Sequence, residues 1–124
     1  MGVLGNFPFS LIFSKLFIKG IYKEGSEEMF NNRRYITVGV HKSIPLPLQE
    51  FMWELIDGMT VEKDYLQVFE LTVRKGKQEI EHRQEQPPYN KSYVLKRRIA
   101  KPITEKIFVI DSGDYCTMLL ASEY

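Results

Sequence analysis

The stretch Ile44-Pro-Leu-Pro-Leu-Gln-Glu-Phe-Met-Trp-Glu-Leu-Ile-Asp-Gly-Met59 constrains the fold more than any other part of the chain. Leu48, Phe51, Met52, Leu55, Ile56 and Met59 recur at i, i+3, i+4, i+7, i+8 and i+11. That spacing lines one side of an α-helix turning about 100° per residue. Pro47 suits the first turn, where its missing N–H has no intrahelical partner to lose. Gly58 stands where a left-handed cap forms most easily. A helix with one apolar face must bury it against another element, so the rest of the chain has to supply that element.

Beta-branched and aromatic residues in alternation supply it as strands. The spacing predicts strands over Arg34 to Val40, Tyr65 to Val73, Glu79 to Glu85, Tyr93 to Leu95 running on into Lys96 to Ile99, Lys106 to Ile110, and Tyr115 to Ala121. In the second of these, Phe69, Leu71 and Val73 share one face while Leu66 and Val68 share the other, so part of it is expected to be covered on both sides. Arg74-Lys-Gly-Lys-Gln78 and Asp111-Ser-Gly-Asp114 read as turns, and Pro87-Pro88 halts a strand because neither residue donates to a ladder. Short turns make neighbouring strands antiparallel, and only the first crossover contains a helix. The expected fold class is therefore α+β: a mostly antiparallel sheet of about five to six strands with one amphipathic helix packed on one face.

The chain has 124 residues, 44% apolar and 27% charged, the composition of one globular domain. Its formal charge of +1 gives no overall drive towards nucleic acid or an acidic membrane surface. The single cysteine, Cys116, cannot form an intrachain disulfide and lies in the apolar run Tyr115-Cys-Thr-Met-Leu-Leu120, which points to a buried structural thiol and a reducing cytoplasm.

Residues 1–28 differ from the rest. Phe7 to Tyr22 is apolar, but Lys15 and Lys19 interrupt it below the length of a membrane span, and the lysines come too late for a secretory signal. Lys23-Glu24-Gly25 can be written AAG-GAG-GGN, a purine-rich ribosome-binding sequence a few codons before Met29. The expectation is that Met29 is the natural start, that 1–28 is an over-called extension, disordered or loosely helical, and that 29–124 is a single α+β domain.

Templates for catalysis are few. His41 and His82 are expected on separate strands with no Cys or His at ligand spacing, so no metal site is expected, and no cofactor. Nucleophile elbow, phosphate loop, His-Glu-x-x-His and dinucleotide glycine patterns do not occur in the sequence. The densest polar cluster is Glu79-Ile-Glu-His-Arg-Gln-Glu-Gln-Pro-Pro-Tyr89, where Glu79, Glu81, Arg83 and Glu85 alternate with Ile80, His82 and Gln84. One reading is a general acid/base pair of Glu81 or Glu85 with His82, or a carboxylate site at Arg83. The other is a solvated strand face with His82 packed beside Ile80. Exposed ion pairs contribute only about 0–1 kcal/mol each, so stability alone does not account for this density, whereas a binding edge would.

Trp53 sits about 140° around the helical wheel from Leu48, off the apolar stripe. It is either a ring packed under the Asp57–Asp64 loop or the Tyr89 segment, or an exposed anchor of the kind enriched at interface hot spots. Two basic clusters, Arg33-Arg34 and Lys96-Arg97-Arg98, with Tyr35, Tyr89 and Tyr93 near them in sequence, could contact phosphates and stack on bases. Residues 29–124 carry 14 Lys and Arg against 13 Asp and Glu, unlike the usual basic nucleic-acid domain.

Met29-Phe-Asn-Asn-Arg-Arg-Tyr-Ile-Thr-Val-Gly-Val, Gln49-Glu-Phe-Met-Trp-Glu-Leu-Ile-Asp, Asp64-Tyr-Leu-Gln-Val-Phe-Glu-Leu and His82-Arg-Gln-Glu-Gln-Pro together resemble the domain-of-unknown-function family nine-sixty of staphylococci and related Gram-positive bacteria. The resemblance runs from Met29 to Tyr124. It implies a cytoplasmic bacterial or mobile-element protein and carries over no catalytic residue. The expected function is a non-enzymatic protein-interaction module, its partner met by Trp53, Arg83, Glu85 and Tyr89. The alternatives are a small-molecule binder or enzyme with a pocket near His82, Arg83 and Glu85, and nucleic-acid binding through Arg33, Arg34, Lys96, Arg97 and Arg98. No membrane association is expected.

Overall fold

Thr37 ends the first strand earlier than its alternating pattern suggests. In the computed structural model, which describes residues 29–96 and 101–124, strand β1 covers Arg33–Ile36 and helix α1 covers Val38–Ser43. The Thr37 hydroxyl oxygen accepts from the Val40 N–H at 3.2 Å as an N-cap. The carboxylate of Glu123, from the other end of the chain, accepts from the Thr37 hydroxyl at 2.6 Å and from the Gly39 N–H at 3.2 Å. The strand expected through Val40 is thus a short helix from Val38 onward. Val40 and Ile44 are buried together with Leu48, Met52 and Ile56, although non-helical backbone at Ile44 and Pro45 separates this helix from the next.

Helix α2 spans Leu46–Asp57, with Pro45 at its N-cap and Pro47 in its first turn. Gly58 caps the other end in a right-handed conformation, φ −87°, with its N–H bonded to Glu54 O. The left-handed cap expected there does not form. Leu48, Met52 and Ile56 are fully buried, and Phe51 and Leu55 are half-buried. Gln49 and Trp53 are buried as well, so the inward face is wider than the apolar stripe.

Five further strands follow: β2 Leu66–Arg74, β3 Lys77–Gln84, β4 Tyr89–Val94, β5 Glu105–Asp111 and β6 Tyr115–Leu120, then a 3₁₀ turn Ala121–Glu123. They form one mixed sheet in the order β1-β6-β5-β2-β3-β4, antiparallel except for the β1–β6 pair. Because β6 opposes β5 and β5 opposes β2, β1 and β2 run the same way, and the two helices form the crossover between them. The expected α+β class is found, with two helices rather than one. The β2–β3 hairpin turns through Lys75 (φ 53°) and Gly76 (φ 76°), the paired positive angles of a tight two-residue loop.

Burial alternates along β2 and β3, whereas Cys116, Thr117, Met118 and Leu119 of β6 are all buried, so that strand is covered on both faces. Phe69 stands opposite His82 and Ile107, Leu71 opposite Ile80, and Val109 opposite Met118. The apolar side chains among these share one buried cluster with Phe30, Ile36, Val40, Ile44, Leu48, Met52, Trp53 and Ile56. On the other parity, Leu66, Val68 and Phe108 are half-buried beside Glu70, Glu81 and Arg83. The fourth strand differs from expectation: β4 begins at Tyr89, directly after the Glu85–Pro88 turn, and ends at Val94. The expected continuation through Arg97, Arg98 and Ile99, and the expectations for 1–28, lie outside the described residues.

Candidate functional site

Strands β2, β3 and β4 bring the polar cluster onto the outward side of the sheet. Glu70 and Glu81 are placed directly opposite each other, as are Thr72 and Glu79, while Glu81 faces Ser92 and Arg83 faces Asn90. Two carboxylates in direct cross-strand register repel. Arg83 resolves this by donating to Glu70 Oε2 at 3.1 Å and to Glu81 Oε1 at 3.2 Å. Lys106 Nζ lies 3.7 Å from the same Glu70 oxygen, and Asn90 Nδ2 donates to Glu81 Oε2 at 2.8 Å. Arg74, largely in solvent, donates to Glu79 Oε2 at 2.9 Å. Between these groups is an open depression of about 350 Å³, lined chiefly by Glu70, Thr72, Arg74, Glu79, Glu81 and Ser92.

The inward side of the same strands is polar too, but sealed. The Asp64 N–H donates to Gln84 Oε1 at 2.8 Å, and Gln84 Nε2 donates to Glu62 O and Pro87 O, both at 2.8 Å. That fixes the Gln84 amide, so Gln67 Nε2 donates to Gln84 Oε1 at 2.6 Å and also to Asp64 O at 2.9 Å. The Gln67 oxygen is left to accept from His82 Nε2–H at 2.7 Å. His82 is therefore a neutral imidazole with its proton on Nε2, and Nδ1 is buried with no hydrogen-bond partner. Its ring stacks on Phe69 at 4.3 Å and meets Tyr89 edge-on at 5.2 Å. Burial pushes its pKa down from 6.5 to about 4. These groups connect the Glu62–Asp64 loop to the Glu85–Pro88 turn and position the hairpin end of the sheet.

Trp53 is also inward: it is only 4% exposed, and the Arg34 guanidinium lies 4.6 Å from its ring centroid. Its cover includes Arg34, which the sequence did not name. Arg34 is itself 3% exposed, donating to Phe30 O at 3.1 Å and forking onto both oxygens of Asp57. Neither Trp53 as an exposed anchor nor Arg34 as a phosphate contact is available at the surface, because each shields the other from water.

The remaining expected site residues separate by face and edge. Arg83 is on the outward face. Glu85 is exposed in the turn after β3 rather than on the strand. Tyr89, half-buried, opens β4 on the inward parity, with Lys91 Nζ 5.8 Å from its ring centroid. Arg33 is exposed on β1 and Lys96 beyond β4, at opposite ends of the six-strand order. Five strand spacings of about 4.8 Å put those two basic positions about 24 Å apart. Arg97 and Arg98 lie outside the described residues. Cys116 is fully buried, and burial pushes its thiol pKa up to about 12.

Sequence reasoning passed over Gln67, Gln78, Gln84 and Asp57. The glutamines were detectable by parity, since each shares a face with Phe69 or Ile80. Asp57 was detectable only through its partner 23 residues away. Among the described residues, no group of three or more His, Cys, Asp or Glu is arranged to hold a metal ion, and no helix is long and apolar enough to cross a membrane.

Residues 33–123 match a protein family described as Staphylococcal protein of unknown function (DUF960). The chain is also similar to the crystal structure of a protein of unknown function from Enterococcus faecalis, with a TM-score of 0.71 and 27% identity over 80% of this chain and 98% of that one. No curated protein matches the sequence.

Proposed function

This chain belongs to the Staphylococcal family of unknown function DUF960, and from that starting point we propose that it is a non-enzymatic protein-interaction module of the cytoplasm. The observation that carries the reading is the outward polar surface of β2–β4, where Glu70, Glu79, Glu81 and Arg74 line a depression of about 350 Å³ and Arg83 pairs with two of the carboxylates. Each exposed pair there adds about 0–1 kcal/mol to stability, so the array is better explained by what it meets than by what it holds together. We read α2 as lying across the opposite face. Support comes from the shared burial of Leu48, Met52, Trp53 and Ile56 with Phe69 and Ile80. The outward face is then left for a partner. His82 and Cys116 are turned into the core, and His41, exposed on α1, is not among the residues that line the depression, which favours binding over chemistry there.

A photoactivatable phenylalanine at Glu81 or Ser92, expressed in the native host, tests this. The expected result is a discrete covalent adduct with one protein at these positions and none at Lys42, which is exposed on α1. It should be lost when Arg83→Glu is added. Equal, diffuse labelling at all three positions refutes the reading. The volume of the depression falls at the small end of ligand sites, and a small polar molecule seated there is the second reading. Thermal shift against a library of charged metabolites separates the two, since a ligand of that size raises the melting temperature without any partner protein.

A further inference from the structure

Strand β4 ends the sheet, and its phase leaves a row of main-chain groups without a bonding partner among the described residues. The Leu95 N–H donates to Gln78 O at 3.0 Å. In an antiparallel ladder, residues alternate between bonded and unbonded pairs. Tyr89, Lys91 and Tyr93 therefore exchange bonds with β3, while the N–H and C=O groups of Asn90, Ser92 and Val94 point away from the sheet. All three of those residues are exposed. Of the usual protections of a free edge, β4 carries a single lysine. β4 contains no proline and no bulge, and Lys91, its one charged residue, lies near the Tyr89 ring on the inward parity.

The side chains beside that edge define what would pair with it. Asn90, Ser92 and Val94 share the outward face with Arg83, Glu81 and Glu79, their cross-strand partners one strand further in. Three carboxylates, Glu70, Glu79 and Glu81, line the depression; Arg83 pairs with Glu70 and Glu81, Lys106 with Glu70, and the mostly solvent-exposed Arg74 with Glu79, part-exposed pairs that an incoming cation can join or replace. Ser92, with the smallest side chain of the edge row, stands between the outside and Glu81. An added strand would run about 4.8 Å beyond β4 and about 9.6 Å from β3, a gap that a Lys or Arg side chain and a Glu side chain close between them. On the inward parity, the added strand would meet Tyr89 and Tyr93, which is half-buried with its ring 5.8 Å from that of Phe51.

We propose that the partner of this module is an extended polypeptide segment that adds to β4 as a seventh strand. Its alternate residues are basic, placed over Ser92 to reach Glu81 and Glu79, and the residues between them are apolar and lie against Tyr89 and Tyr93. The main chain supplies the affinity, and the carboxylates select the charge. This rests on the interaction-module reading and specifies its partner.

The probe is the peptide acetyl-Thr-Val-Lys-Val-Arg-Val-Lys-Thr-amide, with a control carrying Glu in place of Lys and Arg. Added to the full chain, the basic peptide is expected to slow amide exchange at Asn90, Ser92 and Val94, leaving Tyr89, Lys91 and Tyr93 unchanged. The acidic control should bind about tenfold more weakly or worse. Ser92→Pro deletes an outward N–H without removing a bond to β3, and is expected to cost about tenfold or more in affinity. Retained protection of Cys116 from thiol reagents shows that this variant is folded. The double variant Glu79→Lys, Glu81→Lys should reverse the preference between the two peptides. Equal binding to Ser92→Pro, no charge preference, no binding of the basic peptide, or protection of the β4 amides by self-association without any peptide each overturns the proposal. A discrete cross-linked partner at Ser92 together with any of these results would leave the broader interaction reading standing and strand addition refuted.

Discussion

Lowering the pH is expected to expose the cost of His82. The imidazole is fully buried, donates from Nε2 to Gln67 and has no partner at Nδ1, so protonation adds a charge away from solvent and a second N–H, at Nδ1, without an acceptor. Its pKa falls from 6.5 to about 4 on folding. Because the folded value lies below the unfolded one, the unfolded chain takes up the proton first as pH drops. This contribution is thus fully present above about pH 6.5, declines from there towards pH 4, and flattens below. With about 1.36 kcal/mol per unit, linkage gives a loss of about 2 kcal/mol by pH 5 and about 3 kcal/mol at pH 4. Urea unfolding of the wild type and of His82→Gln at half-unit intervals from pH 7.5 to 4 isolates it. Gln retains an amide donor for Gln67 but does not titrate in this range. The stability difference, variant minus wild type, should rise by about 3 kcal/mol across that span, whatever the offset at neutral pH. A flat difference would refute the reasoning and mean that His82 gains a proton acceptor or water in the folded state.

Asp57→Ala should cost about 2–3 kcal/mol, between the values for exposed and buried pairs, since Arg34 is sealed while Asp57 is one-third exposed. Arg34→Met combined with Asp57→Ala should be milder than Asp57→Ala alone, because no buried charge is then stranded; chemical denaturation of the three variants gives the order. Cys116 should resist iodoacetamide at pH 8 in the native protein and react fully in urea, given its burial and a thiol pKa pushed up to about 12. Mass spectrometry of the labelled chain reads both states.

The likeness to the Enterococcus faecalis structure spans nearly the whole of that chain, so the six-strand sheet is an arrangement shared across substantial sequence divergence. The outward polar surface owes its shape to register. Glu70, Thr72, Glu79 and Glu81 are ordinary strand residues in the sequence. They become the wall of a depression because β2 and β3 pair without a bulge through the Lys75–Gly76 turn. The sequence marked Glu79, Glu81 and Arg83 as sharing a face, but not Glu70, whose place opposite Glu81 depends on pairing with a separate strand.

The features settled by the sequence alone are those with a local physical cause. The burial of Leu48, Met52 and Ile56 follows from helical periodicity, and the inward turn of Phe69, Leu71, Ile80 and His82 from strand alternation, since side-chain direction is set by the backbone of a few neighbouring residues. The β2–β3 and β5–β6 hairpins follow from their glycine turns in the same way. Tertiary structure decided whatever needed a distant partner. Val38 to Val40 suits a strand or a helix, and the Thr37 cap with Glu123, 86 residues away from it, makes it helical. The parallel β1–β6 pair joins the two ends of the described domain, and no short-range pattern specifies it. Trp53 stands off the apolar stripe and by local rules should meet solvent. It is buried because Arg34 covers it and Asp57 neutralises Arg34, an arrangement of three side chains that exists only once β1 and α2 are brought together.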